Sequence, residues 1–452
     1  MNKSTLAIAV AVGLLAQQAS AAGFIEDSKA TLKLRNFYIN NDNRDSGTAK
    51  NASYQEEWGQ GFQLDFTSGF TQGTVGFGVD AIGLLGVRLD SGKGRHGNPD
   101  SSNYGGSVFP TDSDGRAVSD FSSLGLTAKA KISQTELRIG TLQPKLPVIV
   151  SNDGRMLPQT FQGGQITSNE FKDLTFIGGQ IEHAKGRNSS NNEELSIAGA
   201  NNARSGEFSN KFLYGGVDYK VNKDLLLQYY YGNLEEFYKQ HFLGLVHNWS
   251  IGPGVLKSDL RYFNSSDDGK NGYDTSYYTN GSYANSSLKN GKGKVDNNLI
   301  SGLFLYTVEG HTFGGGYQVS NGSSDFPFLN QGDGASAYIP TDMQISKFAR
   351  AGERTWQARY TYDFAKVGVP GLTAGAVYLR GDNIDTVTKA GTVAGTGSSE
   401  WERDITVAYV VQEGPLKNVG VMWKNAMWRN DIPGARDQDE NRLIVSYSIP
   451  LL

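Results

Sequence analysis

The chain has no cysteine among its 452 residues. A small exported scaffold held together by disulfides is therefore excluded, and a chain of this length can bury enough surface without them. Beyond residue 21 no apolar run approaches the roughly 20 residues that a membrane-spanning helix needs, so helical spans are excluded as well. Charge of one sign is also scarce. The formal net charge is −4, far from the strongly basic footprint of a nucleic-acid binder. Histidine is limited to His96, His183, His241, His247 and His311, and neither Gly-x-Ser-x-Gly nor His-Glu-x-x-His occurs. Elbow-serine and zinc-hydrolase chemistry has no footing here, and no enzyme activity, metal or cofactor is expected. His241 and His247 flank the apolar stretch from Phe242 to Val246 and read as belt or rim residues. Asp267-Asp268-Gly269 is a common polar turn rather than a calcium loop. Arg380-Gly381-Asp382 reads as turn residues.

What is present begins with a processing signal. Lys3 supplies a positive start, Leu6 to Ala16 is a short apolar core, and Ala19-Ser20-Ala21 offers the small residues that a signal peptidase needs. Residues 1–21 are expected to be a cleaved secretory leader, cut after Ala21 or next to it at Ala22. Residues 22–452 are then one exported unit, with no domain boundary, heptad or sequence repeat. Its composition is rich in glycine (57) and aromatics (22 Tyr, 22 Phe, 6 Trp). A membrane barrel and a soluble exported all-β protein share that composition.

Alternation separates the two. Phe62, Leu64 and Phe66 alternate with Gly61, Gln63, Asp65 and Thr67, and Val75, Phe77, Val79 and Ala81 with Gly76, Gly78 and Asp80. The same period runs from Leu124 to Ile132, from Thr355 to Phe364 and from Arg442 to Leu451. Each segment has one apolar and one polar face. The segments run for about ten residues, the length of a tilted spanning strand rather than a globular one. Their polar faces repeatedly carry Gly, Lys, Arg and Asp, which suits a wet lumen. Connections are of two kinds. Val221 to Asp224 and Gly414 to Asn418 are tight. Asn40 to Gln55, Ser91 to Asp120, Asn264 to Asp296, Asn321 to Glu353 and Gly381 to Glu400 are long and polar. Short turns at one end and long loops at the other organise outer-membrane barrels. The length corresponds to roughly 16 to 18 strands, wide enough for an aqueous channel. The fold class is all-β, a transmembrane antiparallel β-barrel in a bacterial outer membrane.

Several motifs resemble the OprD family of substrate-specific porins. They are Glu57-Trp58-Gly59-Gln60-Gly61-Phe62, Gly73 to Ala81, Gly83 to Val87, Asn152-Asp153-Gly154-Arg155-Met156-Leu157-Pro158-Gln159-Thr160-Phe161, Gln228 to Gly244, Glu353 to Tyr360 and Asp439 to Tyr447. The resemblance covers essentially the whole exported chain. It implies an 18-stranded barrel, monomeric or at most a loose trimer, narrowed by extracellular loops that fold into the lumen. It also implies passive diffusion of small solutes bearing a carboxylate, such as amino acids, aromatic acids or other organic acids. Outer-membrane lipid and lipopolysaccharide would surround the barrel. Arg155 would be the constriction arginine on the third loop. Asp333 or Asp325, with Tyr338, would form the opposing wall, and no motif decides between the two acids. The basic track would include Arg35, Arg359, Lys424 and Arg442. The strand registers of Arg359, Lys424 and Arg442 also point those residues inward.

The chain departs from a strongly basic lining at Asp65, Val377 and Met422, and it ends in Leu452 rather than an aromatic, although Tyr447 keeps one on the outward face. Arginine suits a selective lumen because its planar fork pairs bidentately with a carboxylate and it stays charged. A general diffusion porin, trimeric and less selective, and a basic-amino-acid or peptide channel of the same family are the alternative expectations.

Overall fold

The computed structural model describes residues 23–44, 54–92, 95–96, 106–197, 208–270, 295–330, 336–387, 393–433 and 435–452. The expected leader and Asp333 lie outside the described residues. Eighteen long strands form one closed antiparallel sheet. In chain order they are β1 (Lys29–Asn43), β2 (Tyr54–Thr67), β3 (Gly76–Asp90), β4 (Asp120–Ile132), β5 (Thr135–Leu142), β6 (Thr160–Ser168), β7 (Leu174–Lys185), β8 (Phe212–Lys220) and β9 (Leu225–Leu234). The second half is β10 (Tyr238–Ile251), β11 (Gly254–Asp267), β12 (Asp296–Val308), β13 (His311–Gly322), β14 (Arg354–Asp363), β15 (Leu372–Val387), β16 (Val393–Val410), β17 (Gly420–Asn430) and β18 (Gln438–Pro450). Each strand pairs with the next, and β18 pairs back on β1, with Arg35 opposite Ser446 and Ile39 opposite Arg442. Closure removes the two open edges, which lipid cannot solvate.

The short connections gather at the end where β1 begins and β18 finishes, which is the periplasmic end. Glu309-Gly310 joins β12 to β13 with both φ values positive, 48° and 86°, the geometry of a tight hairpin. At 221–224, Asn222 Oδ1 accepts from the N–H groups of Asp224 and Leu225, closing the turn locally. The long connections lie at the other end. The expected loop from Gly381 to Glu400 is instead largely strand. Both β15 and β16 continue past the membrane as a polar ribbon, with 388–392 outside the described residues. Gly, Asp, Asn, Thr and Ser dominate the sequence there, so no regular alternation marks it. Arg380-Gly381-Asp382 is consequently within β15 rather than in a turn.

Outward faces carry the apolar half of the alternation. Leu124 is 73% exposed and Ile300 55% in the isolated chain, as befits surfaces meant for lipid tails. Near the periplasmic rim His311 Nδ1 bonds Tyr360 Oη at 2.9 Å, and the ring of His247 lies 4.3 Å from Trp249. His241 likewise bonds Tyr229 Oη at 3.0 Å on the outside. These are aromatic-belt histidines.

Inward faces are not uniformly wet. Phe37, Ile39, Leu84 and Phe121 point into the barrel and meet Val108, Phe109 and Ala117 of the 91–119 loop and Met156 and Leu157 of the 143–159 loop. Across the lumen Phe161, Phe212, Tyr230, Phe242 and Phe263 meet Leu146, Val148 and Ile149 of the 143–159 loop, together with Phe326, Leu329, Ala337 and Ile339 of the 323–353 loop. Each aromatic so covered contributes about 1.5–3 kcal/mol to holding a loop inside the pore. Two wall glycines leave the space. A side-chain carbon at Gly86 would sit 2.5 Å from Phe121 and 2.6 Å from Met156, and one at Gly59 would sit 2.5 Å from Met156.

Wall carboxylates complete the anchoring by accepting loop backbone amides. Glu57 of β2 accepts from the N–H groups of Ser107 (2.7 Å) and Val108 (2.9 Å) and contacts His96 Nδ1 at 2.8 Å. Glu402 of β16 accepts from the N–H groups of Gln344, Ile345 and Ser346 at 3.2, 3.0 and 2.7 Å. Glu400 accepts from Ser346 Oγ at 2.7 Å, and Glu353 accepts from the Arg350 N–H at 3.0 Å. Glu353 is buried beside Glu400, over Gly381, whose missing side chain makes room for it. Burial, with the Glu400 carboxylate adding to it, holds Glu353 well above the ordinary carboxylate range, while Arg350 opposes the shift.

Two outcomes follow from these anchors. Gly86→Val should overpack the seat of Met156, at a cost of about 1–3 kcal/mol. Single-channel recordings should then show larger, noisier open currents as the 143–159 loop leaves its seat. The second outcome concerns pH. A buried acid with a raised pKa binds its proton more tightly in the folded state, so its anchoring is intact at low pH and weakens as pH rises through the raised value. Open-channel noise should accordingly increase as pH rises above the normal carboxylate range. Glu353→Gln, which keeps a neutral group in place, should flatten that dependence.

Candidate solute constriction

Between the two apolar clusters lies a cavity of about 410 Å³, lined by Asn152, Gly154 and Arg155 from the 143–159 loop, Arg187 from the loop after β7, Arg261 of β11, Arg442 of β18, and the segment from Ser336 to Lys347. Among the residues anticipated from sequence, Arg155, Tyr338 and Arg442 line this space together. The Arg155 side chain is only 12% exposed. Its Nη2 lies 3.8 Å from Glu440 Oε2, and its Nη1 reaches the Gly154 carbonyl at 3.4 Å. Both contacts are long, so the guanidinium retains donor capacity. Arg442 pairs with Glu440 at 2.5 Å and donates to the carbonyls of Gly154 and Gln344, linking the two in-folded loops.

The other anticipated residues stand elsewhere. Arg35 grips Asp153 in a two-pronged pair, Nη1 to Oδ1 at 2.7 Å and Nη2 to Oδ2 at 3.1 Å, and donates to the Arg155 carbonyl at 2.7 Å. It therefore orients the loop that carries Arg155. Arg359 donates to Gln357 Oε1 at 2.7 Å and to the Pro340 carbonyl, tethering the opposite loop. Lys424 stands directly across from Arg442 in the β17–β18 register. Asp325 is buried at the root of the 323–353 loop, where it accepts from the Ala351 N–H at 2.9 Å. The acid that lines the cavity is Asp342, 3.1 Å from Lys347 Nζ.

Arg187, Arg261, Lys347, Asp342 and Glu440 escaped the sequence reading. Arg261 and Glu440 were within reach of it, because each shares a strand face with inward residues, Arg261 with Asp259 and Phe263 and Glu440 with Arg442. The other three sit on loops, where no period applies. Arg261 pairs with Asp259 at 2.8 and 2.7 Å and lies 4.1 Å over the Tyr338 ring. Burial raises the Tyr338 hydroxyl above its usual value, with the Arg261 charge pulling the other way, so it stays protonated as a donor at neutral pH. Five cations line the cavity against Asp342. With Asp259 and Glu440 standing behind them, the excess of positive charge is two.

Toward the periplasm the lumen widens into a chamber of about 760 Å³ that includes Asp65, Asp80, Lys131, Glu136, Arg138 and Lys145. Asp65, which sequence alone suggested would thin the basic lining, is neutralised by Lys33 at 2.6 Å. Asp80 is held by Lys129 at 2.7 Å and Arg138 at 3.4 Å. Lys131 and Lys145 have no carboxylate partner among the described residues.

A positive constriction made by loops inside a closed 18-stranded wall has close counterparts. A family model described as outer membrane porin, OprD family, matches residues 22–451. The crystal structure of Pseudomonas aeruginosa OccK8 (OprE) superposes with a TM-score of 0.84 at 61% identity, covering 95% of this chain and all of that one. P. aeruginosa OpdK, solved with vanillate, gives a TM-score of 0.80 at 35% identity over the same 95% of this chain and all of its own. Porin-like protein GalP of Pseudomonas putida is 37% identical across 99% of this chain and 97% of its own length. These relatives are channels rather than enzymes, and the chain belongs to the OprD family of outer-membrane porins.

Proposed function

We propose that the channel is substrate-selective and passes small solutes bearing a carboxylate, with Arg155 as the residue that meets it. The observation that carries this reading is the state of the Arg155 guanidinium. Arg35, paired with Asp153, holds the backbone carbonyl of Arg155, while the guanidinium faces the cavity and has only long contacts at 3.4 and 3.8 Å. A solute carboxylate can satisfy it better than its own surroundings do, and a desolvated guanidinium–carboxylate pair is strong and directional. Arg442 and Arg187 line the same side, while Tyr338, Ile339 and Met343 supply an aromatic and apolar wall. That combination fits a carboxylate on a compact apolar body. The presence of vanillate with OpdK supports the reading, since vanillate is an aromatic carboxylate. We also infer that the barrel works as a monomer, and that residues 1–21 are removed on export. The family match starting at residue 22 supports the latter, and N-terminal sequencing of the mature protein tests it.

Planar-bilayer recording distinguishes this reading from a trimeric general porin. Single small steps blocked by millimolar aromatic or aliphatic carboxylates support selectivity, whereas triplet closures insensitive to them sink it. Replacing Arg155 by Ala should raise conductance and weaken carboxylate block about tenfold, the factor associated with one charge-assisted hydrogen bond. A further change probes the counter-charge. Glu440→Gln leaves the guanidiniums of Arg155 and Arg442 without their shared carboxylate, so the reversal potential in a KCl gradient should move toward chloride. A shift toward potassium would contradict the assigned electrostatics.

A further inference from the structure

The extracellular ends of β14, β15 and β16 carry charges that the pore does not use. Trp356 stands opposite Arg380, Arg380 opposite Trp401, and Trp401 opposite Arg429. One step toward the periplasm Tyr378 stands opposite Arg403, and one step outward Arg354 begins β14 opposite Asp382. Strand alternation puts this set on the outside of the barrel. The intervening Thr355, Leu379, Glu402 and Asp404 are buried inward, while Trp356 is 42% exposed and Arg354 and Arg380 are exposed. Arg354, Arg380 and Arg403 thus descend diagonally across three neighbouring strands, with diagonal steps of about 7–8 Å.

Asp382 stands opposite Arg354 without an ion pair to it, and the three arginines still outnumber it. Arg429 is taken by Asp439 at 2.7 Å and Asp437 at 3.7 Å. Arg354, Arg380 and Arg403 have no carboxylate within ion-pair distance among the described residues. Arg403 donates only to Asn425 Oδ1, and its Nε has no partner. Between the arginines the Trp356, Tyr378 and Trp401 rings pack at centroid distances of 5.3 and 5.8 Å, forming a firm aromatic platform. Aromatic rows of this kind mark the membrane–water interface of a barrel. Elsewhere the outward faces near this rim present Asn264 and Asn298, bonded to each other, or Asp42 and Glu56.

Three unpaired guanidiniums at interface height, turned away from the lumen, face the headgroup layer of the outer leaflet. The anions there are phosphates, for which the arginine fork is geometrically matched. We propose that this diagonal is a docking site for the phosphate groups of the lipid A moiety of lipopolysaccharide, with the aromatic platform lying against its sugar and acyl edge. The site orients the barrel's β14–β16 face in the outer leaflet independently of transport.

The test uses the purified, detergent-solubilised full barrel and two probes, bisphosphorylated lipid A and the same lipid after dephosphorylation. The wild type should bind the phosphorylated form more tightly. The combined change Arg354→Gln, Arg380→Gln and Arg403→Gln should weaken that binding about tenfold or more, since each arginine supplies charge-assisted hydrogen bonds. Unchanged single-channel conductance would show that the variant is folded. Arg380→Gln alone, at a side chain that makes no hydrogen bond among the described residues, serves if the triple variant does not insert, and should weaken binding severalfold. Equal binding of the two lipids by the wild type overturns the proposal. So does unaltered affinity in a conducting variant, or a change in oligomeric state with lipid binding intact.

Discussion

Inside a β-barrel, a loop can be held across the pore only if its backbone polar groups find partners there. The three successive N–H groups of Gln344, Ile345 and Ser346 find one in the single carboxylate of Glu402. A carboxylate has about four acceptor sites, which makes it one of the few side chains able to collect several amides at once. Glu57 does the same for Ser107 and Val108 on the adjoining wall. Without such acceptors the loops would carry unsatisfied amides into a region partly sealed by Phe109, Met156 and Phe326, where each would be costly. The constriction depends on this arrangement. Arg261 and Arg442 bond carbonyls of the loop that Glu402 holds, those of Tyr338 and Gln344.

A second layer of the design is the use of arginine as a structural tether. Arg35 binds Asp153 and the Arg155 carbonyl, Arg359 binds the Pro340 carbonyl, and Arg442 bonds both Gly154 and Gln344. Guanidinium can do this while remaining charged, because its five donors diverge in a plane. The basic track is therefore divided in role. Some of its members hold the in-folded loops in place, and others line the cavity between them.

Much of this fold was legible in the sequence because a barrel repeats one rule. Trp356, Ala358 and Tyr360 against Thr355, Gln357 and Arg359 gave both the strand and the inward direction of Arg359. The rule stops where apolar residues no longer alternate, which is why the segment from Gly381 to Glu400, rich in Gly, Asp, Thr and Ser, read as a loop. It also obscures inward aromatics: Tyr229, Tyr230 and Tyr231 are consecutive, and only the loops packed over Tyr230 distinguish it from its neighbours. The motif around Arg155 marked a residue that lines the central cavity. Of the two acids anticipated for the facing wall, Asp333 lies outside the described residues and Asp325 is bonded to the Ala351 N–H, while Asp342 lines the cavity; nothing local to Asp325 or Asp342 records that difference. Glu57 and Glu402 are ordinary charged residues in a strand until their loop partners, some 50 or more positions away, are known.

The departures from a fully basic lining acquire a physical sense once neighbours are considered. Val377 lies in register between Arg359 and Asp404. A cation there would face like charge at Arg359 on one side and opposite charge at Asp404 on the other. Asp65 is balanced by Lys33, so it does not place a bare negative charge in the chamber below the eyelet. Permeation needs attraction at each station weak enough for the solute to leave. The carboxylates of Glu440, Asp259 and Asp342, each paired with an eyelet cation, keep the net excess small. Under the proposed function, an arriving carboxylate would compete with charges already in place and be released when the next station takes over. A lining of unopposed cations would bind more tightly and conduct less. If these arginines select a solute as proposed, the mixture of sign beside them is what would let it go.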